Sequence, residues 1–307
     1  MDFKHLPVLF NETISALNVK SNGIYLDGTA GGAGHSTAIA KQLKDGVLIA
    51  LDRDPDAIKV ASERLKDYPA KVVKSNFKDM DKVLNDLGIE KVDGILLDLG
   101  VSSFQLDEAS RGFSYLKEAP LDMRMSKEGF SAYDLIKEAS LDELTKIFRD
   151  YGEEKFAYRI ANKITEARNK EDIKTTTQLA EIIASAVPAA ARRDGHPARK
   201  CFQALRIAVN DELGSLIEVL EKAFSLLNKD GVLAIITFHS LEDRIVKLKF
   251  KEFTTGCTCP KDLPVCVCGK TPEGELVTRK AVTATEEELK ENHRSRSAKL
   301  RAIKKIK

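Results

Sequence analysis

The sequence predicts an α/β fold: a sheet of alternating β and α units interrupted by an all-helical insertion. Three observations predict it. Apolar, strand-like runs alternate with helical stretches over the first hundred residues. Three of those runs end on a carboxylate, at Asp27, Asp52 and Asp98. From about Asp107 to Ala198 the strand signals vanish and helical spacing takes over. Alternating β and α units imply right-handed crossovers, with ligands held at the carboxyl ends of the strands. Three acids at such ends describe a site.

The first strand, Ile24-Tyr25-Leu26-Asp27, opens onto Gly28-Thr29-Ala30-Gly31-Gly32-Ala33-Gly34-His35. Glycines there let backbone approach a ligand closely, and the helix that follows offers N–H groups at its start. Val47 to Asp52 is the second strand, its acid placed to hold a ribose diol. Asp54 and Pro55 form a cap and a first helical position, after which Ile58, Ala61 and Leu65 recur at helical spacing. Val72-Val73 is a short third strand. Val83, Leu84 and Leu87 mark a helix closed by Gly88. Ile95 to Asp98 is a fourth, continuously apolar strand of the kind buried in a parallel sheet.

The insertion reads as helices over 132–137, 141–148, 153–167 and 177–187. A single long helix then follows, its stripe running from Phe202 through Leu205, Val209, Leu213 and Leu216 to Leu227. Val232 to Phe238 is another buried strand with His239-Ser240 at its tip, and 276–284 and 298–303 read as closing strands. The expected division is 1–106 with 199–307 for the sheet domain and 107–198 for the helical insertion.

At 43% hydrophobic and 31% charged, the 307 residues describe an ordinary globular chain able to bury one large core or two modest ones. The first residues carry no apolar core resembling a signal peptide, and no apolar run is long enough to cross a bilayer. The expectation is a cytoplasmic protein without membrane contact. Net charge is only +2, but Arg294 to Lys307 hold seven basic residues and no acid. Arg192, Arg193, Arg199 and Lys200 form a second basic group. Such clusters suit a polyanion met through one face, although a solvated surface with a frayed tail explains them equally well.

The loop excludes two nucleotide classes. It has no Gly-Lys-Ser/Thr, which a triphosphate loop requires, and Thr37 stands where the third glycine of a dinucleotide fingerprint belongs. A carboxylate at Asp27 would repel a pyrophosphate but attract an amino group or a sulfonium. S-adenosylmethionine carries both cations and no phosphate, and is the expected ligand. A nicotinamide oxidoreductase shares the strand-and-acid geometry without the glycine pattern. A non-catalytic RNA-binding protein on the same fold is the alternative from another class.

Nine ordered motifs extend this reading. They are His5-Leu6-Pro7-Val8-Leu9; the loop from Asp27 to Ser36; Leu51-Asp52-Arg53-Asp54-Pro55; Asp98-Leu99-Gly100-Val101-Ser102-Ser103; Arg111-Gly112-Phe113-Ser114; Leu121-Asp122-Met123-Arg124-Met125; His196-Pro197-Ala198-Arg199-Lys200; Phe238 to Arg244; and Ser295 to Arg301. Over nearly its whole length the chain resembles the bacterial small-subunit (16S) rRNA cytosine-N4 methyltransferases, also called MraW or RsmH. The resemblance implies a Rossmann-like S-adenosylmethionine-dependent methyltransferase sheet and a helical domain that helps recognise RNA. It implies cofactor contacts at Ala33, Gly34, His35, Asp52, Phe77, Asp98 and Gln105. It also implies a cytidine in the decoding region of the small ribosomal subunit as substrate. Oligomeric state is left open, a homodimer included.

The exocyclic amine of cytosine is a poor nucleophile, because its lone pair is delocalised into the ring. An acceptor for one N–H would offset the positive charge that develops on nitrogen. Asp98 is the candidate catalytic residue for that task, with service to the cofactor's amino group as its alternative role. Many amino-group methyltransferases carry Asp/Asn-Pro-Pro-aromatic at this strand end. Here it reads Asp98-Leu99-Gly100-Val101, so base stacking must come from elsewhere, with Phe104, Phe113, Tyr115 and Phe238 as candidates.

Cys257, Cys259, Cys266 and Cys268 fall within twelve residues. Four thiols in a reducing compartment suggest structural zinc. C-x-C is a tighter bite than the usual C-x₂-C, so unligated thiols and a redox-labile pair stay open beside it, and the metal is left unassigned. Cys201, on the apolar side of a helix, reads as a buried small residue.

Overall fold

The computed structural model describes residues 7–192, 195–260, 265 and 267–307. His5 and Leu6 of the first motif, Arg193 of the basic group, and Cys266 of the cysteine cluster lie outside the described residues. The chain forms two compact units, Met1–Gly100 with Gly214–Lys307, and Val101–Leu213.

The first unit holds a seven-stranded sheet in the order β3-β2-β1-β4-β5-β7-β6. Its strands are β1 (Ile24–Asp27), β2 (Val47–Asp52), β3 (Ala70–Lys74), β4 (Val92–Asp98), β5 (Leu227–Thr237), β6 (Gly274–Leu276) and β7 (Lys299–Lys305). The first five in the sheet run parallel, and β7 pairs antiparallel with both β5 and β6. This is the Rossmann-like α/β sheet that the sequence predicts. Strand order reverses between β1 and β4, and an open parallel sheet leaves a ligand crevice at such a point.

Alternation along the strands builds a core on each face. Leu26, Ile49, Leu51, Ile95, Leu97, Leu233 and Ile235 enter one cluster with Leu216, Leu220, Phe224 and Phe250. Tyr25, Leu48, Ala50, Leu96, Ala234 and Ile236 enter the other with Leu9, Leu17, Ile39 and Leu65. Neighbouring residues point to opposite faces, so a strand covered on both sides must be apolar throughout.

The second unit is helical: Ala132–Glu138, Leu141–Asp150, Ala157–Arg168, Thr176–Ala186 and Ala198–Asn210. Three of these helices begin with reciprocal capping boxes, Ser131 with Asp134, Ser140 with Glu143 and Thr175 with Gln178. Each satisfies backbone N–H groups that the first turn leaves without helical partners. Leu144, Phe148, Ile160, Ile164, Leu179, Ile183 and Leu205 pack as its core.

The long helix expected from Phe202 to Leu227 is two helices, Ala198–Asn210 and Glu212–Leu226. Asp211 breaks it in the left-handed conformation (φ 49°, ψ 45°). Cys201, Phe202 and Leu205 enter the helical core, whereas Leu216, Leu220 and Phe224 enter a sheet core. The helical unit therefore runs from Val101 to Leu213, wider at both ends than the expected 107–198. Apolar periodicity survives the break because each half is amphipathic in its own right. Of the expected 276–284 strand, Leu276 ends β6, the Val277 and Thr278 N–H groups donate to the Ala302 carbonyl, and Val282 forms a bridge to Leu300. The basic C-terminus is a strand and not a frayed tail. Arg301 and Lys299 pair with Asp243, and Lys305 donates to the carbonyls of Ser225 and Leu227.

Buried Asn210 ties the 123–125 segment to its helix. Its Oδ1 accepts from the Met125 N–H (2.8 Å), and its Nδ2 donates to the Met123 and Arg206 carbonyls (2.7 and 2.9 Å). Buried Arg111 donates to the carbonyls of Arg124 and Met125 from the other side. Asn210→Ala leaves buried backbone groups without partners, each costing about 1–3 kcal/mol. Urea unfolding should therefore show a loss of about 3 kcal/mol, and a loss under 1 kcal/mol would mean the segment finds other partners.

Candidate active site

The tip of β1 is set by hydrogen bonds on all sides. Gly28 N–H donates to the Leu96 carbonyl and Ala30 N–H to that of Leu51, joining the loop to β4 and β2. A Cβ on Gly28 would lie 2.5 Å from Leu97 Cδ2 and 3.0 Å from Phe77 Cβ, so only glycine fits there. Ala33 takes a left-handed conformation (φ 58°) and caps helix Gly34–Ala40. A Cβ on Gly34 would collide with the Pro7 ring. Pro7 in the first motif and the glycine loop are thus packed together.

Asp27 is buried, and its oxygens are both engaged. Ser36 Oγ donates to Oδ2 (2.6 Å), and the Thr29 N–H donates to Oδ1 (3.0 Å). Burial raises its pKa, opposed by these hydrogen bonds. Asp27 thus shapes the loop that follows β1 and adds negative charge near Asp98. Asp52 Oδ2 accepts from Gly31 N–H and Oδ1 from Asp54 N–H, both at 2.8 Å. Burial pushes its carboxyl up to about 6, with Asp54 and Asp27 adding like charge. Asp52 therefore pins the glycine loop as well as ending β2.

Asp98 stands at the end of β4, where its N–H donates to Thr29 Oγ1 (2.6 Å). Its side chain keeps 24% exposure, yet Oδ1 is buried and has no hydrogen-bond partner. His35 Nδ1 lies 3.6 Å from Asp98 Oδ2, too long for a hydrogen bond. Burial holds His35 down to about 4 despite a hydrogen bond to the Val8 backbone, so the ring is neutral near pH 7 and does not neutralise Asp98. Burial, with Asp27 and Glu242 as nearby negative charges, pushes Asp98 up to about 8. Its carboxylate thus faces a strong electrostatic demand for a positive charge.

Phe77 opens the short helix Phe77–Asp79 after β3 and is partly buried against the sheet core. Its flank touches the position where Gly28 lacks a side chain. Ala33, Gly34, His35, Asp52, Phe77 and Asp98 therefore all lie in the sheet unit, on the loop or on elements meeting it. Gln105 lies in the helical unit. It is buried and forms a capping box with Ser102, its Oε1 accepting the Ser102 N–H (3.0 Å).

A profile of the MraW methylase family matches residues 2–306. The chain belongs to the MraW methylase family. It is 55% identical over 309 residues to proteins named ribosomal RNA small subunit methyltransferase H from the Loch Maree and Kyoto strains of Clostridium botulinum. Each alignment covers all of both chains. Among solved structures, an rRNA methylase from Streptococcus thermophilus covers the whole of both chains at 10% identity with a TM-score of 0.44.

Two groups near Asp98 were not singled out from sequence. Thr29 fixes the β4 tip through its hydroxyl. Glu242, buried, accepts the Phe238 N–H (2.8 Å) and lies beside His239 (3.1 Å), adding negative charge behind Asp98. The signal for Glu242 was present: it stands three residues after the helix cap His239, as a capping box requires. Among the described residues, no helix is long and apolar enough to cross a membrane.

Proposed function

We propose that this MraW-family methylase transfers a methyl group from S-adenosylmethionine to the N4 amine of a cytidine in small-subunit ribosomal RNA. The observation that carries the reading is the buried, unpartnered Oδ1 of Asp98 beside the glycine loop, in a carboxyl group that burial and nearby negative charge hold protonated until a cation favours its ionised form. A cation is what such a carboxylate fits. Asp27 and Glu242 make the same region unwelcoming to phosphate.

Ala33, Gly34 and His35 would hold the methionine part, Asp52 the ribose hydroxyls, and Phe77 an apolar edge of the adenine. Gln105 is named by the resemblance to the family alone, and its amide oxygen is committed to a helix cap. When bound, the sulfonium supplies an activated methyl group on a good leaving sulfur. Asp98 would accept one N–H of the target amine, favouring the geometry in which the nitrogen lone pair points at the methyl carbon. The relatives' name directs the proposal to ribosomal RNA of the small subunit.

The test is to incubate the full chain with methyl-labelled S-adenosylmethionine and small ribosomal subunits, then digest the RNA and identify nucleosides by mass spectrometry. Labelled N4-methylcytidine is expected. Label on carbon 5 of cytosine or on another base would refute the chemistry, and no label in any small-subunit RNA would refute the substrate.

A further inference from the structure

Between helix Ser240–Thr254 and β6 the chain runs for residues 255–273 with no helix or strand assigned to a described residue. None of its described residues is buried, and Val265 and Val267 are 69% and 77% exposed. Segments this long without secondary structure are uncommon and are usually either functional or linkers. None of its described residues joins an apolar core, yet its two arms meet at their cysteines.

The sulfurs of Cys257, Cys259 and Cys268 all lie within 4.8 Å of one another. Cys257 Sγ and Cys268 Sγ, from opposite arms, are 3.8 Å apart. A disulfide requires about 2.05 Å, whereas two thiolates on a tetrahedral zinc ion, with bonds of about 2.3 Å, stand about 3.8 Å apart. The backbone supports the same arrangement from both arms. Thr258 N–H, between the first two cysteines, donates to Cys268 Sγ (3.5 Å). Val267 N–H, beside Cys268, donates to Cys259 Sγ (3.4 Å). Amide donors to sulfur fix ligand direction. Gly269, left-handed at φ 61°, turns the chain away directly after the last of the three.

We propose that Cys257, Cys259 and Cys268 bind a structural zinc ion that takes the place of a hydrophobic core in this segment. Binding converts three thiols to thiolates and releases their protons, so affinity rises with pH. The site lies in a loop between two sheet-unit elements and includes none of Asp27, Asp52 or Asp98. Its role is to fold the loop, leaving the chemistry of methyl transfer to the carboxylates.

The experiment uses the full chain purified under reducing conditions without chelator, incubated with zinc, desalted and analysed by plasma mass spectrometry. About one zinc per chain is expected for the wild type and less than ~0.1 for the double variant C257S/C268S. A wild-type content below ~0.1, or equal content in the double variant, would overturn the proposal. Cobalt exchange into wild-type protein gives a second readout that needs no variant. Thiolate-to-cobalt charge-transfer absorption of a tetrahedral site is expected, and its absence would also overturn the assignment.

Discussion

Asp98→Asn is expected to slow methyl transfer by about 10²-fold or more at saturating cofactor, the size of effect seen when one preorganised transition-state hydrogen bond is lost. The asparagine keeps an acceptor oxygen but not the charge that offsets a developing positive nitrogen. Single-turnover assays on small subunits measure it, and a variant at full rate would remove Asp98 from the chemistry. Unchanged rate at saturation with weakened cofactor binding would make Asp98 a binding residue alone.

The titration of Asp98 gives two companion results with a defined sign. Its carboxyl sits near 8 in the folded protein against an ordinary 3.8. Between those values the folded state holds a proton that the unfolded chain has released. Stability of the protein alone therefore falls as pH rises through that window. Asp98→Asn removes this penalty, so its melting temperature should gain on wild type from pH 6 to pH 8, by about 2 °C or more given the quarter exposure of the side chain. A cation beside the carboxylate favours the ionised form. Cofactor binding should then release a proton, and affinity should rise by up to about tenfold per pH unit below pH 8. If Asp98 faces the sulfonium, that rise is steeper for S-adenosylmethionine than for S-adenosylhomocysteine, whose sulfur is neutral. Calorimetry at three pH values with both ligands measures it, and flat affinity would sink the electrostatic argument.

Asp52→Ala should weaken S-adenosylhomocysteine binding by about 10²-fold. Two charge-assisted hydrogen bonds to backbone, at Gly31 and Asp54, disappear together with the proposed ribose acceptor. Such bonds contribute roughly 1.5–3 kcal/mol each, and part of that stays as loop order in the protein alone. Asp52→Glu keeps the charge but not the reach to both amides, and should fall between wild type and alanine. An alanine variant within twofold of wild type would show that neither the loop pin nor the acid is needed for binding.

Several parts of this architecture are contiguous in the chain and were legible for that reason. The strand Ile24–Asp27, its glycine loop and the following helix are consecutive residues, so local sterics and hydrogen-bond preferences specify them. The same holds for Asp54 and Pro55 at the start of helix Pro55–Leu65, where Asp54 accepts the Asp56 N–H as a cap. Asp27 shows where that legibility stops. Its place at a strand tip was readable, but whether its oxygens faced a ligand or the loop depended on Ser36 and Thr29 folding back over it.

The apolar stripe from Phe202 to Leu227 teaches the same point for packing. Spacing reports that a face is apolar, not which core receives it, and a single left-handed residue at Asp211 sends its halves to different cores. Local patterning therefore specified the α/β class, the carboxylates at the ends of β1, β2 and β4, and the membership of an ordered-motif family. The tertiary structure decided which acid is satisfied and which is not. Asp27 has both oxygens engaged and Asp98 has one buried and unpartnered, because desolvation and the field of Asp27 and Glu242 arise only when distant segments of the sheet unit close around β4.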